Sequence, residues 1–349
     1  MTKLQIGLTS ALRRKDGSPA FPGYDLSALA DEGLAELSYF TAKPALEPND
    51  LRGYHAVVLL GERITAQSFP DDGRLLHFAR MGVGFDTLDL PACTAHDVVI
   101  TNTPPGVRRP MAVAVTTYML ALTTNIFAKN RIAREGPQGW AKTTDHHGMG
   151  LVGRTLGIVG LGNIGSEVAR ITKTLGMRTI ACDPYIEASH AEELEVELVA
   201  LDELFRQADV ISINCPLTEE TRHLVSAERL ALMKPTAYLI NTSRGPVVDQ
   251  KAIVEVLREK RIAGAALDVQ DPEPSAPDEP LNELDNVILA PHALGLTDQM
   301  WMTMAEVHTT AFRAMLRGEV PEFVVNEAVL ERPGFQAKLA RLSGKDRGE

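Results

Sequence analysis

The chain has 349 residues, of which 44% are hydrophobic and 23% charged, and a formal net charge of −11. That length suffices for two domains with separate cores, and the composition excludes a disordered or fibrous chain. The acidic balance disfavours a general nucleic-acid or anionic-membrane surface, so an anionic substrate would need positive charge of its own inside a site. From the N-terminus onward, short β-rich runs alternate with helical patterns, which predicts parallel α/β construction. The first predicted strands are 4–10 ("LQIGLTS"), 55–61 ("HAVVLLG") and 75–82 ("LLHFARMG"). A long helix is predicted over 110–130, apolar almost all round and therefore buried, either between domains or against a second subunit.

A second set of strands follows at 155–160, 178–183, 209–216, 237–243, 263–269 and 286–292. Helices are predicted between them at 163–176 and 250–260, the latter with Ile253, Val254 and Leu257 on one face. A further helix is expected over 297–318, then a strand-like "EFVVN" at 322–326, then a charged, frayed tail from Gly334. The chain therefore begins one domain, crosses to a second and returns to the first: residues 1–105 with 297–349, and 106–296. Cys93, Cys182 and Cys215 show no metal-ligand spacing, so no metal is expected; Cys182 and Cys215 fall within apolar, strand-like runs and are expected as buried thiols in a reducing compartment. The N-terminus lacks the apolar core of a signal peptide, and no window reaches the ~18–20 apolar residues of a membrane span. A cytoplasmic protein without a membrane partner is the expectation.

The run "GIVGLGNIG" sets Gly160, Gly162 and Gly165 in G-x-G-x-x-G order between a predicted strand and a predicted helix. Glycines there let the backbone approach a pyrophosphate, and the free N–H groups near Asn163 and Ile164 bind its charge. Asp183 closes the next strand about 20 residues on, where a carboxylate accepts the ribose hydroxyls and repels a 2′-phosphate. NAD is the expected cofactor, in preference to NADP.

A dinucleotide fold does not choose a reaction. Arg244 follows "INTS", Glu273 lies in "DVQDPEPSAP" and His292 ends "VILAPH", all just past predicted strands. An arginine can grip a carboxylate and polarise the adjoining carbonyl; a histidine can exchange the hydroxyl proton near neutral pH. A carboxylate beside that histidine favours its protonated form. Each also has a bland reading: a turn arginine, a solvated loop glutamate, a strand-end histidine. Spacing alone does not bring the three side chains together.

The ordered segments "ARMGVGFDTLDLPACTAHDVVITNTPP", "GRTLGIVGLGNIG", "CPLTEETRHLV", "LINTSRGPVVDQKAIVEVL", "GAALDVQDPEP" and "NVILAPHALG" resemble the D-2-hydroxyacid dehydrogenases over nearly the whole chain. The resemblance implies two Rossmann-like, doubly wound parallel-sheet domains, one flavodoxin-like and one NAD-binding, with a cleft between them. It also implies an NAD-dependent oxidoreductase that interconverts a small 2-keto acid and a D-2-hydroxy acid, dimerising through the coenzyme domain. On that pattern Arg244 holds the substrate carboxylate, His292 is the acid/base and Glu273 its partner. Asp268 holds the nicotinamide carboxamide; Asn163, Ile164, Asp183, Cys215, Pro216, Leu217, Thr221, Thr242 and Ser243 line the cofactor, with room beside Gly295. The Val83 and Gly84 amides match the substrate-carboxylate loop.

Gln270 and Asp271 depart from the pattern beside Glu273, and Val115 stands where a polar residue is common. Glu62 and Arg63 fall on a loop that selects the substrate side chain in the family. Arg108, Arg109, His146 and His147 read as surface or interface residues more readily than as site residues. Two other readings fit the same fold: a non-catalytic, NAD-responsive interaction protein of the corepressor type, and a relative acting on formate or phosphite.

Overall fold

A computed structural model describes residues 3–345. The chain divides into two compact units, one reaching to Val107 and resuming at Leu296, the other spanning Arg108–Gly295.

The first unit holds five strands, β1 (Leu4–Thr9), β2 (Ala35–Phe40), β3 (Ala56–Leu59), β4 (His77–Arg80) and β5 (Val99–Thr101). They pair in parallel in the order β2-β1-β3-β4-β5, the flavodoxin-like winding. Val57, Leu59, Phe78 and Ile100 are fully buried in its core with Cys93. Burial on both faces is what the inner strands of an all-parallel sheet demand, and it explains the continuous apolar run of β3, whereas the edge strand β2 is largely polar and exposed. Thr297 accepts a hydrogen bond from the Met300 amide and so caps the helix Asp298–Leu316.

The second unit holds β6 (Thr155–Val159), β7 (Arg178–Cys182), β8 (Glu197–Leu198), β9 (Val210–Ile213), β10 (Tyr238–Asn241), β11 (Gly264–Leu267) and β12 (Val287–Leu289). Its parallel sheet runs β12-β11-β10-β9-β6-β7-β8. That is the dinucleotide-binding winding with its switch point between β6 and β9. The expected fold class is borne out in both sheets.

Three expectations are corrected. The helix over 110–130 is not continuous. It starts at Pro104 and ends at Thr124; Asn125, at φ 55°, breaks it before a second helix, Ile126–Ala133, bent by 55°. Ala112, Val115, Tyr118 and Met119 pack into the core, whereas Val113, Leu120, Ile126 and Phe127 stand exposed. The run 322–326 forms no strand: Val324 makes a single antiparallel bridge to Thr101, and Phe323 has a left-handed φ of 58°. The described part of the tail is not frayed, because Pro333–Ser343 is a helix that buries Phe335, Leu339 and Leu342; residues 346–349 lie outside the described residues. Among the described residues no single helix is long and apolar enough to cross a membrane.

Candidate active site in the second unit

The glycine turn follows β6 at the switch point. Gly160 has φ 92°, and a β-carbon on it would lie 2.7 Å from the Cys215 amide nitrogen, so β6 and the loop after β9 touch backbone to backbone. A β-carbon at Gly165 would collide with the Gly160 carbonyl oxygen, which holds the helix Asn163–Lys173 against the turn. Gly162 differs: nothing lies within 4 Å of where its β-carbon would be. Gly162 caps that helix without a side-chain acceptor, which leaves the first helical amides of Asn163 and Ile164 free to bind an anion. These features fit a pyrophosphate.

Asp183 closes β7, as expected. Its Oδ2 accepts from the Leu161 amide at 2.8 Å and its Oδ1 from the Tyr185 amide at 2.9 Å. A carboxylate has about four lone-pair sites, so both oxygens retain capacity for a ribose diol. Cys215, Pro216 and Leu217 lie just past β9, and Thr221 Oγ1 donates to the Pro216 carbonyl at 2.6 Å, bracing that loop. Burial pushes the Cys215 thiol up to about 11, so it lines the turn as an inert side chain.

Arg244, Glu273 and His292 come from the loops after β10, β11 and β12, three adjacent strands. The Asn241 side chain ties the first loop by donating to the Arg244 carbonyl at 2.9 Å and accepting from the Ser243 amide at 3.0 Å. Thr242 between them is buried. A β-carbon at Gly245 would run into the Gln270 carbonyl, so this glycine lets the Arg244 loop close on the segment carrying Glu273. His292 Nδ1 and Glu273 Oε2 are 2.9 Å apart, and the Gln270 amide donates to Glu273 Oε1 at 3.0 Å. Burial works to raise the Glu273 pKa. The hydrogen bond and charge of His292, the Gln270 amide and the Arg244 charge outweigh it, holding the carboxyl below its ordinary value.

The sequence reading missed a second role for Asp268. Its backbone carbonyl accepts from the His292 amide at 2.7 Å, and its Oδ1 accepts from Ala293 at 2.9 Å and Leu294 at 3.1 Å. These bonds pin His292 at a left-handed φ of 54°, a conformation uncommon outside glycine, beside Gly295 at the end of this unit. The signal available was an acidic residue at the end of "AALD", but its partners are 25 and 26 residues away.

In the first unit, Val83 and Gly84 follow β4, and the Val83 carbonyl accepts from the Asn102 side chain at 3.1 Å. Among the described residues neither amide donates to a protein acceptor, which suits the predicted carboxylate loop. Glu62 is buried and its Oε2 accepts from the Leu60 and Gly61 amides, so it shapes its own loop; Arg63 beside it is exposed. Arg108 and Arg109 pair with buried Glu167 at 4.0 and 2.7 Å. His146 and His147 follow the short turn Thr143–Asp145, and no hydrogen bond joins them to the three site residues among the described residues. No group of three or more His, Cys, Asp or Glu could hold a metal ion among the described residues.

Fold and site together define a dinucleotide-dependent oxidoreductase. A profile described as "D-isomer specific 2-hydroxyacid dehydrogenase, NAD binding domain" matches residues 116–293. The glyoxylate reductase of Korarchaeum cryptofilum is 41% identical over 286 residues, covering 80% of this chain and 85% of that protein. The D-3-phosphoglycerate dehydrogenase of Methanocaldococcus jannaschii is 38% identical over 287 residues, covering 82% of this chain but 53% of that longer protein. The crystal structure of Aquifex aeolicus D-lactate dehydrogenase complexed with NAD and lactic acid superposes with a TM-score of 0.78 at 26% identity, covering 92% and 99% of the two chains. The protein belongs to the D-isomer-specific 2-hydroxyacid dehydrogenase family. It is an NAD-dependent dehydrogenase interconverting 2-keto and 2-hydroxy acids, as the sequence led us to expect.

Proposed function

We propose that the protein reduces a small, unphosphorylated 2-keto acid of glyoxylate or hydroxypyruvate size, with His292 as the acid/base, Glu273 as its partner and Arg244 as the carboxylate ligand. The observation that carries the assignment is the 2.9 Å His292–Glu273 contact, with the carboxyl held ionised partly by the Arg244 charge. The glycine turn with the Asn163 and Ile164 amides and Asp183 would hold the dinucleotide, whose nicotinamide would supply the hydride. Arg244 grips the carboxylate and draws electron density from the adjoining carbonyl. With Nδ1 held by the anionic Glu273, His292 Nε2 is left to give the reacting oxygen its proton, and the carboxylate stabilises the imidazolium before transfer. The Val83 and Gly84 amides offer further donors for a carboxylate. Similarity to glyoxylate reductases supports the small substrate.

A panel of glyoxylate, hydroxypyruvate, pyruvate and phosphohydroxypyruvate, each with NADH and NADPH, tests this reading. The highest kcat/KM is expected with a two- or three-carbon unphosphorylated acid and NADH. A clear preference for NADPH would remove Asp183 as the selector, and a preference for the phosphorylated acid would overturn the substrate class. Arg244→Ala is expected to lower kcat/KM by roughly 10²-fold, because charge-assisted hydrogen bonds to the substrate disappear; an unchanged value would dismiss the carboxylate role. The exposed apolar residues Val113, Leu120, Ile126 and Phe127 support a homodimer formed through the second unit, and the reduced, unpaired cysteines support a cytoplasmic location.

A further inference from the structure

A cavity of about 570 Å³ opens in the first unit, and its wall carries Lys3, His55, Asp72, Arg74, Lys338 and Arg341. Lys3 precedes β1, His55 precedes β3 and Leu76 precedes β4, so it lies at the N-terminal edge of the parallel sheet. The Val83–Gly84 loop leaves the opposite, C-terminal edge. The cavity is therefore separate from the loop assigned to the substrate, and its size is that of an ordinary small-molecule site, ~300–1,000 Å³.

Its charge runs against that of the chain. Lys3, Arg74, Lys338 and Arg341, with His55, face a single acid, Asp72, in a protein of net charge −11. Asp72 is already engaged by backbone: Oδ2 accepts from the Gly53 amide at 2.7 Å and Oδ1 from the Arg74 amide at 3.1 Å. Among the described residues the Arg74 and Arg341 side chains form no ion pair. Lys3 has only a half-exposed contact of 3.7 Å with Glu36, worth little in water. His55 Nδ1 accepts from the Gln5 amide at 3.0 Å, which places the ring proton on Nε2, and that N–H has no partner among the described residues. Lys338 donates to the Leu75 and His96 carbonyls at 2.9 and 2.7 Å, so it lends charge from a fixed position.

At two titratable groups of the wall, burial is the main cause of a lowered pKa. Burial first, then the Arg74 charge, lower the His55 pKa against the opposing pull of Asp72. Burial also lowers that of Lys338, with Arg341 and Arg332 adding to it and Asp97 and Asp72 opposing.

We propose that this cavity is a binding site for a small phosphate monoester. The Arg74 and Arg341 guanidinium groups and the His55 Nε2–H supply donors for a tetrahedral oxyanion, Lys3 and Lys338 supply charge, and Leu76 and Leu342 receive the carbon skeleton. Free inorganic phosphate shares the oxyanion chemistry, and the test separates the two sources.

The test is calorimetric titration of the full chain, saturated with NADH so that the glycine turn is occupied. The probes are glycerol 3-phosphate, inorganic phosphate and citrate, in parallel with an Arg74→Ala/Arg341→Ala variant. Both replaced side chains are exposed, so the variant should keep wild-type turnover and melting temperature without ligand. Glycerol 3-phosphate is expected to bind best, and the variant to lose about tenfold or more in affinity, the scale of a lost charge-assisted hydrogen bond. Equal binding of inorganic phosphate would assign the site to the free ion and overturn the monoester. No heat at millimolar ligand, stronger binding of citrate, or undiminished binding by the variant would overturn the site.

Discussion

Replacing His292 by alanine is expected to lower kcat for keto-acid reduction by about 10²–10⁴-fold, the usual contribution of a positioned general acid, while NADH affinity changes little. The argument rests on position: Asp268 holds the His292 backbone through its own carbonyl and through the amides of the next two residues. Glu273 fixes the ring from the Nδ1 side at 2.9 Å, which leaves Nε2 for the substrate. Steady-state rates and fluorescence titration with NADH check both halves, and unchanged turnover would remove His292 from the chemistry. Glu273→Gln separates the charge of the partner from its hydrogen bond. Since Glu273 is held below its ordinary pKa, it stands as an anion throughout the neutral range. A glutamine at this position keeps a hydrogen-bonding partner for the ring but no charge, so kcat for keto-acid reduction should fall while NADH affinity is retained; unchanged kcat in the variant would contradict a role for the carboxylate's charge. Folding stability depends on the same ionisation: the Glu273 contribution is complete above the unfolded carboxyl's pKa and is lost as pH falls through its depressed folded value.

How much of this could be read from residues alone depended on whether the determining contacts were local. The central strands of the second unit were legible because burial on both faces imposes apolar, β-branched runs such as "TLGIV" and "VISI". β2, with its polar "AELSYF", and the two-residue β8 were not, since edge strands need only one partner. "EFVVN" has strand composition, but a left-handed Phe323 limits its pairing. The final helix was hidden by the charged end of the chain, although Phe335, Leu339 and Leu342 already have helical spacing. At the site, residue type identified Arg244, Glu273 and His292 as candidates, and the resemblance ordered them into roles. Their convergence depends on the Gly245–Gln270 approach and on Asp268, long-range contacts that no local pattern encodes.

The glycine turn yields a second large effect and separates folding from cofactor binding. At Gly165 an alanine β-carbon would meet the Gly160 carbonyl oxygen and press on Ile158 Cγ2 at 3.1 Å. Both neighbours belong to a buried strand and its turn and cannot yield as a surface side chain would. Overpacking of this kind costs ~1–3 kcal/mol, and at about 2–4 °C per kcal/mol for a domain of this size the melting temperature should fall measurably. Gly165→Ala should therefore lose both stability and NADH affinity, because the helix carrying the Asn163 and Ile164 amides must move. Gly162→Ala should behave differently. Its φ of −70° suits any residue and its β-carbon would enter open space, so stability should be retained. That open space is where the pyrophosphate is placed, so NADH affinity should still fall, by roughly tenfold or more if a backbone hydrogen bond to the anion is lost. Thermal unfolding and NADH titration of both variants decide the matter. Full NADH affinity in Gly162→Ala would show that the cofactor does not approach this backbone, whereas loss of stability in that variant would show that Gly162 is needed for the turn itself.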